Sequence, residues 1–124
     1  MVRPTEITLH KTSRILEISF DDERTFKLPC EYLRVFSPSA EVQGHGPGQE
    51  KLQVGKIFVN IKEMKPMGNY ALGITFDDGH DSGIFSWEVL HELGLNQPSN
   101  WKGYLAKLEE AGESREPKRP GTSS

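Results

Sequence analysis

The densest chemistry in this sequence is the run Asp77-Asp78-Gly79-His80-Asp81-Ser82, which sets three carboxylates and one imidazole within six residues. Imidazole and carboxylate oxygens ligate Zn or Fe when three or more converge on one point. His80 and Asp81 are adjacent, so they lack the one-residue gap of the His-X-Asp pair used by non-haem iron oxygenases, and no distant His is an evident third ligand. Asp and Gly are also the residues a tight polar turn selects, because they tolerate its backbone angles. The run therefore reads first as a hairpin turn.

Other reactive side chains are less convincing still. Gly44-His45-Gly46-Pro47-Gly48 offers backbone amides to an anion,, but Pro47 removes a donor and no Lys-Ser/Thr follows at phosphate-loop spacing. Cys30 with His45 or His80 would suit thiol catalysis. Its place, after a strand and at the start of a short helix, is that of a small buried hydrophobe. His10 and His91 have no carboxylate or Cys companion at meaningful spacing and read as solvated. Nothing supports Ser-His-Asp chemistry.

The elements that must position these residues follow from periodicity. Ile7 and Leu9, then Leu16, Ile18 and Phe20, then Phe26 and Leu28 alternate with polar neighbours, which predicts a three-stranded antiparallel meander. Cys30 to Phe36 fit a short helix, and Ser37 to Gln53 have no periodicity, a long loop of the kind that is functional or disordered. Ile57, Val59 and Ile61 predict a further strand, Met64 to Asn69 a turn, Leu72 to Phe76 a strand, and Ile84-Phe85 a short return strand. Ser86 predicts an N-cap and Gly94 a helix stop. A last helix is expected after Ser99 or Asn100, with Trp101, Tyr104, Leu105 and Leu108 on one face,.

One internal echo organises these pieces. Ile18-Ser19-Phe20-Asp21-Asp22 recurs as Ile74-Thr75-Phe76-Asp77-Asp78, and each copy leads to a helix start, Glu31-Tyr32-Leu33 or Glu88-Val89-Leu90. A strand–acidic turn–strand–helix unit is used twice. The expected class is α+β, a small antiparallel β-rich domain of six or seven strands with this pseudo-duplicated unit and a C-terminal helix. Residues 1–111 form the domain and 112–124 a disordered tail.

With 124 residues and 35% hydrophobic content, the chain has room for one modest core,. A net charge of −3 provides no basic field for nucleic acid,. No apolar run approaches the roughly 20 residues that span a bilayer. A lone cysteine precludes an internal disulfide, and the first residues lack a signal-peptide apolar region,; a reduced, cytoplasmic setting is expected.

Taken together, Leu28 to Ser39, the Gln43–Gly48 loop and Phe76 to Glu88 resemble the small domain at the N-terminus of gamma-butyrobetaine and trimethyllysine dioxygenases. The same domain resembles stand-alone bacterial proteins and a segment appended to some iron–sulfur carrier ATPases. The resemblance covers roughly Ile7 to Leu95. It implies a structural zinc held by a Cys-X-Cys-X-X-Cys cluster and a later His; here those positions carry Ser37, Ser39, Val42 and His80. Hydroxyls are poor zinc ligands beside thiolates, and valine is none, so the enzyme-type site should be empty and no cofactor is expected. The catalytic barrel of the dioxygenases has no counterpart in this sequence.

The resulting expectation is a non-catalytic binding or assembly module for a protein partner or itself. Its surface is expected at Arg34, Ser37, Ser39, Gln43, Gly44, His45, Asp78 and His80, with an Arg34–Asp78 ion pair bridging what zinc holds elsewhere. The alternative is a Zn- or Fe-binding protein linked to iron–sulfur handling, using His80, His45 and Asp77, Asp78 or Asp81.

Overall fold

Leu16, Ile18 and Phe20 occupy every second position and all are buried, while their neighbours are half-exposed. That is the signature of a strand with one face on a core. They lie in the centre of an antiparallel meander, β1 (Pro4–His10), β2 (Ile15–Phe20) and β3 (Thr25–Pro29). Leu72, Ile74 and Phe76 repeat the pattern in a second meander, β4 (Ile61–Met67), β5 (Ala71–Phe76) and β6 (Gly83–Ser86). Helix α1 (Cys30–Val35) and a short α2 (Ala40–Gln43) follow the first meander, α3 (Trp87–Leu95) follows the second, and α4 (Gln97–Ala111) closes the domain. The class is α+β, with two three-stranded sheets among the described residues. This computed structural model describes residues 2–44, 50–81 and 83–117.

Duplication extends to the hydrogen bonds. Pairing slips by one residue opposite Phe20, between Pro4 and Glu6, and again opposite Phe76, between Ile61 and Glu63. Each slip is a single-residue bulge, which bends its strand and sharpens the twist. Beyond it, Asp21 N donates to Arg3 O as Asp77 N donates to Asn60 O, both at 2.9 Å. Phe20 N reaches Arg24 O and Phe76 N reaches His80 O, both at 2.8 Å. The turns are one structure made twice.

Inner faces of both sheets meet in one core with Leu28, Tyr32, Leu33, Phe85 and Leu90, all essentially inaccessible. Each such side chain removed from water contributes about 1.5–3 kcal/mol before ordering costs. A smaller cluster of Val35, Tyr104 and Leu108 seats α4, with Trp101 and Phe36 packed against it; Leu105, expected on the same face, is exposed.

Several expected boundaries move. The fourth strand begins at Ile61 and runs through Met67, where a turn was expected, because Pro66 does not break an edge strand,. Tyr70 O accepts from Trp87 N, so even positions of β5 aim their polar groups at β6, and Pro66, opposite Leu72, owes β5 no donor. Ser86 caps α3 as expected, its Oγ accepting from Val89 N at 3.1 Å. Gly94 does not stop that helix, which continues to Leu95. A Cβ at Gly94 would lie 2.3 Å from the Phe26 ring, so this glycine allows close packing of α3 on β3. α4 starts at Gln97, with Pro98 in its first turn where the missing N–H costs nothing,.

The expected tail is ordered through Pro117. Gly55 N donates to Ser114 O and Ile57 N to Arg115 O, both at 3.0 Å. Arg115 also meets buried Glu31 through two hydrogen bonds, at 2.8 and 2.7 Å, and stacks on Trp101. Residues 118–124 lie outside the described residues. No described helix is long and apolar enough to cross a membrane.

A buried serine–histidine cluster and an adjoining groove

The residues singled out by sequence do converge. The second turn carries His80 back toward the segment after α1, and Ser37 Oγ lies 3.0 Å and Ser39 Oγ 3.2 Å from His80 Nε2. Ser39 N also donates to Ser37 Oγ at 3.4 Å, and Gln43 Nε2 donates to Ser37 O at 2.9 Å. Gly83 makes room for this approach, since a Cβ there would sit 3.1 Å from Ser37 Oγ and 2.9 Å from the Phe85 ring.

Asp78 braces the cluster from the solvent side. Its Oδ1 accepts from His80 N at 3.2 Å, and its Oδ2 accepts from Arg34 Nε at 2.9 Å and Lys56 Nζ at 2.6 Å. The expected Arg34–Asp78 pair is therefore present. It is not an exposed one, since the Arg34 side chain is 9% accessible. Among the described residues nothing accepts from the buried Arg34 Nη1, which raises the cost of losing its carboxylate partner. Burial pushes the Asp78 carboxyl up, but hydrogen bonds from Lys56 and His80 N–H and the charge of Arg34 outweigh it and hold the group below its ordinary 3.8.

Burial corrects the expected contact surface. Ser37, Ser39, His80 and Arg34 are all buried, so they cannot touch a partner. The sequence reading placed the serines and His80 on a loop and a turn, which are ordinarily exposed; here the hydroxyls and the imidazole are taken inward because they hydrogen-bond one another,. Gln43, Gly44 and Asp78 keep access to solvent, and His45 lies outside the described residues. The same burial leaves Ser37 Oγ, at 0% exposure, out of reach of any substrate,.

The cluster does not suit the zinc that the family resemblance implies. Its donors are one imidazole and two hydroxyls, and Val42, at the remaining position, presents only methyl groups,. Asp77 Oδ1 is turned to Asn60 N at 3.0 Å. Among the described residues no group of three His, Cys, Asp or Glu could hold a metal ion. Cys30 is buried, within weak hydrogen-bond range of Asn60 Oδ1 at 3.7 Å, and burial pushes its thiol up, away from the reactive thiolate.

His10 and His91, expected to be solvated and unpartnered, each have a carboxylate. His10 Nε2 lies 2.9 Å from Glu17 Oε1 and His91 Nε2 lies 2.7 Å from Asp22 Oδ2. His91 also packs edge-on against Phe20 and Phe26. Asp22 is 69 residues away in sequence, so no local spacing could have shown that pair.

Next to the cluster lies a groove of about 490 Å³ between the α1–α2 segment, residues 50–53 and α4, with Val42 in its wall. Tyr104 stands on its α4 side and donates to Gln53 O at 2.7 Å. Burial, then the nearby Glu31 charge, pushes this phenol up to about 12.

A duplicated meander–helix unit closed around a hydrogen-bonded polar cluster defines a small α+β domain. The chain belongs to the family of gamma-butyrobetaine hydroxylase-like N-terminal domains, whose model matches residues 7–91. Two NMR solution structures superpose on the whole chain, at 46% and 48% identity with TM-scores of 0.83 and 0.81, and cover 98% and 92% of those chains. The crystal structure of a protein of unknown function of the DUF971 family from Acidithiobacillus ferrooxidans ATCC 23270 is 35% identical, with a TM-score of 0.58 over 74% of this chain and 92% of that one. The Fe-S cluster assembly factor HCF101, chloroplastic, of Oryza sativa subsp. japonica is 32% identical over 78 residues, 60% of this chain. The chain spans 15% of the length of that relative.

Proposed function

We propose that this protein is a non-catalytic binding or assembly module that works in the cytoplasm by docking a partner protein or a second copy of itself. The observation that carries this reading is the closed Ser37–His80–Ser39 cluster. The most reactive constellation in the sequence is spent on holding two duplicated units together, and it faces no substrate. Its serines stand where thiolates would hold zinc in the dioxygenases, so hydrogen bonds replace the metal as the clasp. The test is light scattering of the purified chain combined with affinity capture using it as bait. Self-association, or a stoichiometric partner retained above a control bait, is expected; a monomer that retains nothing contradicts the proposal.

A second reading is favoured by one comparison. A relative named as an Fe-S cluster assembly factor shares this domain-sized segment, which supports a role for the module beside iron–sulfur assembly, with Fe or Zn bound through His80 and residues not of the family's ligand set. Metal content of untagged protein separates the two.

A further inference from the structure

The two glycines inside long helices have different explanations. Gly94 in α3 is required by Phe26, whose ring fills the space of its missing Cβ. Gly103 sits in the middle of α4, where glycine is the poorest helix former after proline. A Cβ at Gly103 would meet nothing within 4 Å, and its φ is not in the left-handed region. No contact within the described fold requires a bare backbone there. Gly103 lines the groove of about 490 Å³ beside the cluster, and a bare helix wall lets an incoming backbone approach closely.

The rest of the groove says what approaches. Its floor is apolar, built by Val35, Phe36, Val42 and Leu52. Gln43, Gln53 and Asn100 stand along it and use their NH2 groups on Ser37 O, Lys51 O and Tyr32 Oη. Their carboxamide oxygens accept no hydrogen bond from the described residues, and each is of the kind that takes an N–H donor. Lys51 and Lys107 against Glu50 make the rim cationic on a chain whose net charge is −3, and an acidic partner is drawn to that spot rather than to the rest of the surface.

We infer that this groove receives a peptide segment of the partner protein: a large apolar side chain on the floor, its backbone against Gly103, and an adjacent Asp or Glu toward Lys51 and Lys107. The inference rests on the binding-module reading and names its surface and the chemistry of its ligand.

Panning a phage-displayed random peptide library on the full chain tests it, with selected peptides titrated by fluorescence and mapped by NMR amide shifts. The expected peptides pair Leu, Phe or Trp with Asp or Glu and shift Gln43, Leu52, Gly103 and Lys107. Gly103→Leu, which strengthens the helix and fills the wall, should weaken them about tenfold or more. Lys107→Glu should weaken them and reduce their salt dependence. Failure to enrich any peptide, shifts centred elsewhere, or unchanged affinity in Gly103→Leu overturns the inference. A native partner retained equally by wild type and Gly103→Leu overturns the groove while leaving the module reading intact. Groove-binding peptides with no protein retained by the wild type do the reverse.

Discussion

Arg34 Nε donates to Asp78 Oδ2 at 2.9 Å, reaching from the helix of the first unit to the turn of the second. The second unit returns the contact, His91 on α3 meeting Asp22 in the first turn at 2.7 Å. Asp22 and Asp78 hold the same turn position, each also accepting from the backbone two residues on. The units are thus clasped reciprocally, and the serine–histidine cluster lies beside only the Asp78 clasp.

The two clasps should not be equal. Asp78→Ala strands a buried guanidinium that already lacks one acceptor, and loss on the order of 3 kcal/mol is expected. Asp22→Ala, at the solvent-facing clasp, should cost much less. Urea denaturation of both variants checks the order, and equal losses would contradict it.

Acid should loosen the Asp78 clasp. A carboxyl held below its ordinary value in the fold contributes stability present above its unfolded value of about 3.9. That contribution is lost as pH falls through the lower folded value. Stability should therefore decline below about pH 4, and Asp78→Asn should flatten that decline.

Alkali acts through Tyr104. Its phenol stays protonated in the fold to about 12, whereas in the unfolded chain it ionises near pH 10. The unfolded state sheds the proton first, so stability should fall as pH rises from about 10 to about 12. Tyr104→Phe should remove much of that slope, at the cost of the hydrogen bond to Gln53 O, as thermal melts across this range would show.

The same substitution should have opposite signs in two helices. Gly103→Ala meets nothing and should stabilise by about 0.5–1 kcal/mol, raising Tm by several degrees. Gly94→Ala drives a methyl into Phe26 and should destabilise by about 1–3 kcal/mol.

Sequence reading reached the fold through its strongest periodic signals. The alternation at Leu16–Phe20 and Leu72–Phe76 marked both central strands, and the Phe-Asp-Asp echo marked a duplication that the bulges and turn hydrogen bonds repeat. It lost β4 because Pro66 speaks locally for a turn, and only sheet order shows that the strand is an edge. It brought Ser37, Ser39 and His80 to one place through a family likeness, yet put them at the surface. Whether a polar residue is buried depends on partners some forty residues away, which no local pattern carries. Arg115 was lost for the same reason, since its partner Glu31 lies 84 residues earlier. The groove went unread, because its walls come from segments some fifty residues apart in sequence.

We propose above that hydrogen bonds at His80 stand in for a metal. Mass-spectrometric metal analysis of untagged protein, purified without chelator and incubated with Zn or Fe, tests it most directly. The account predicts far less than one equivalent bound and a Tm unchanged by chelator. One equivalent of Zn or Fe that disappears in His80→Ala would contradict it.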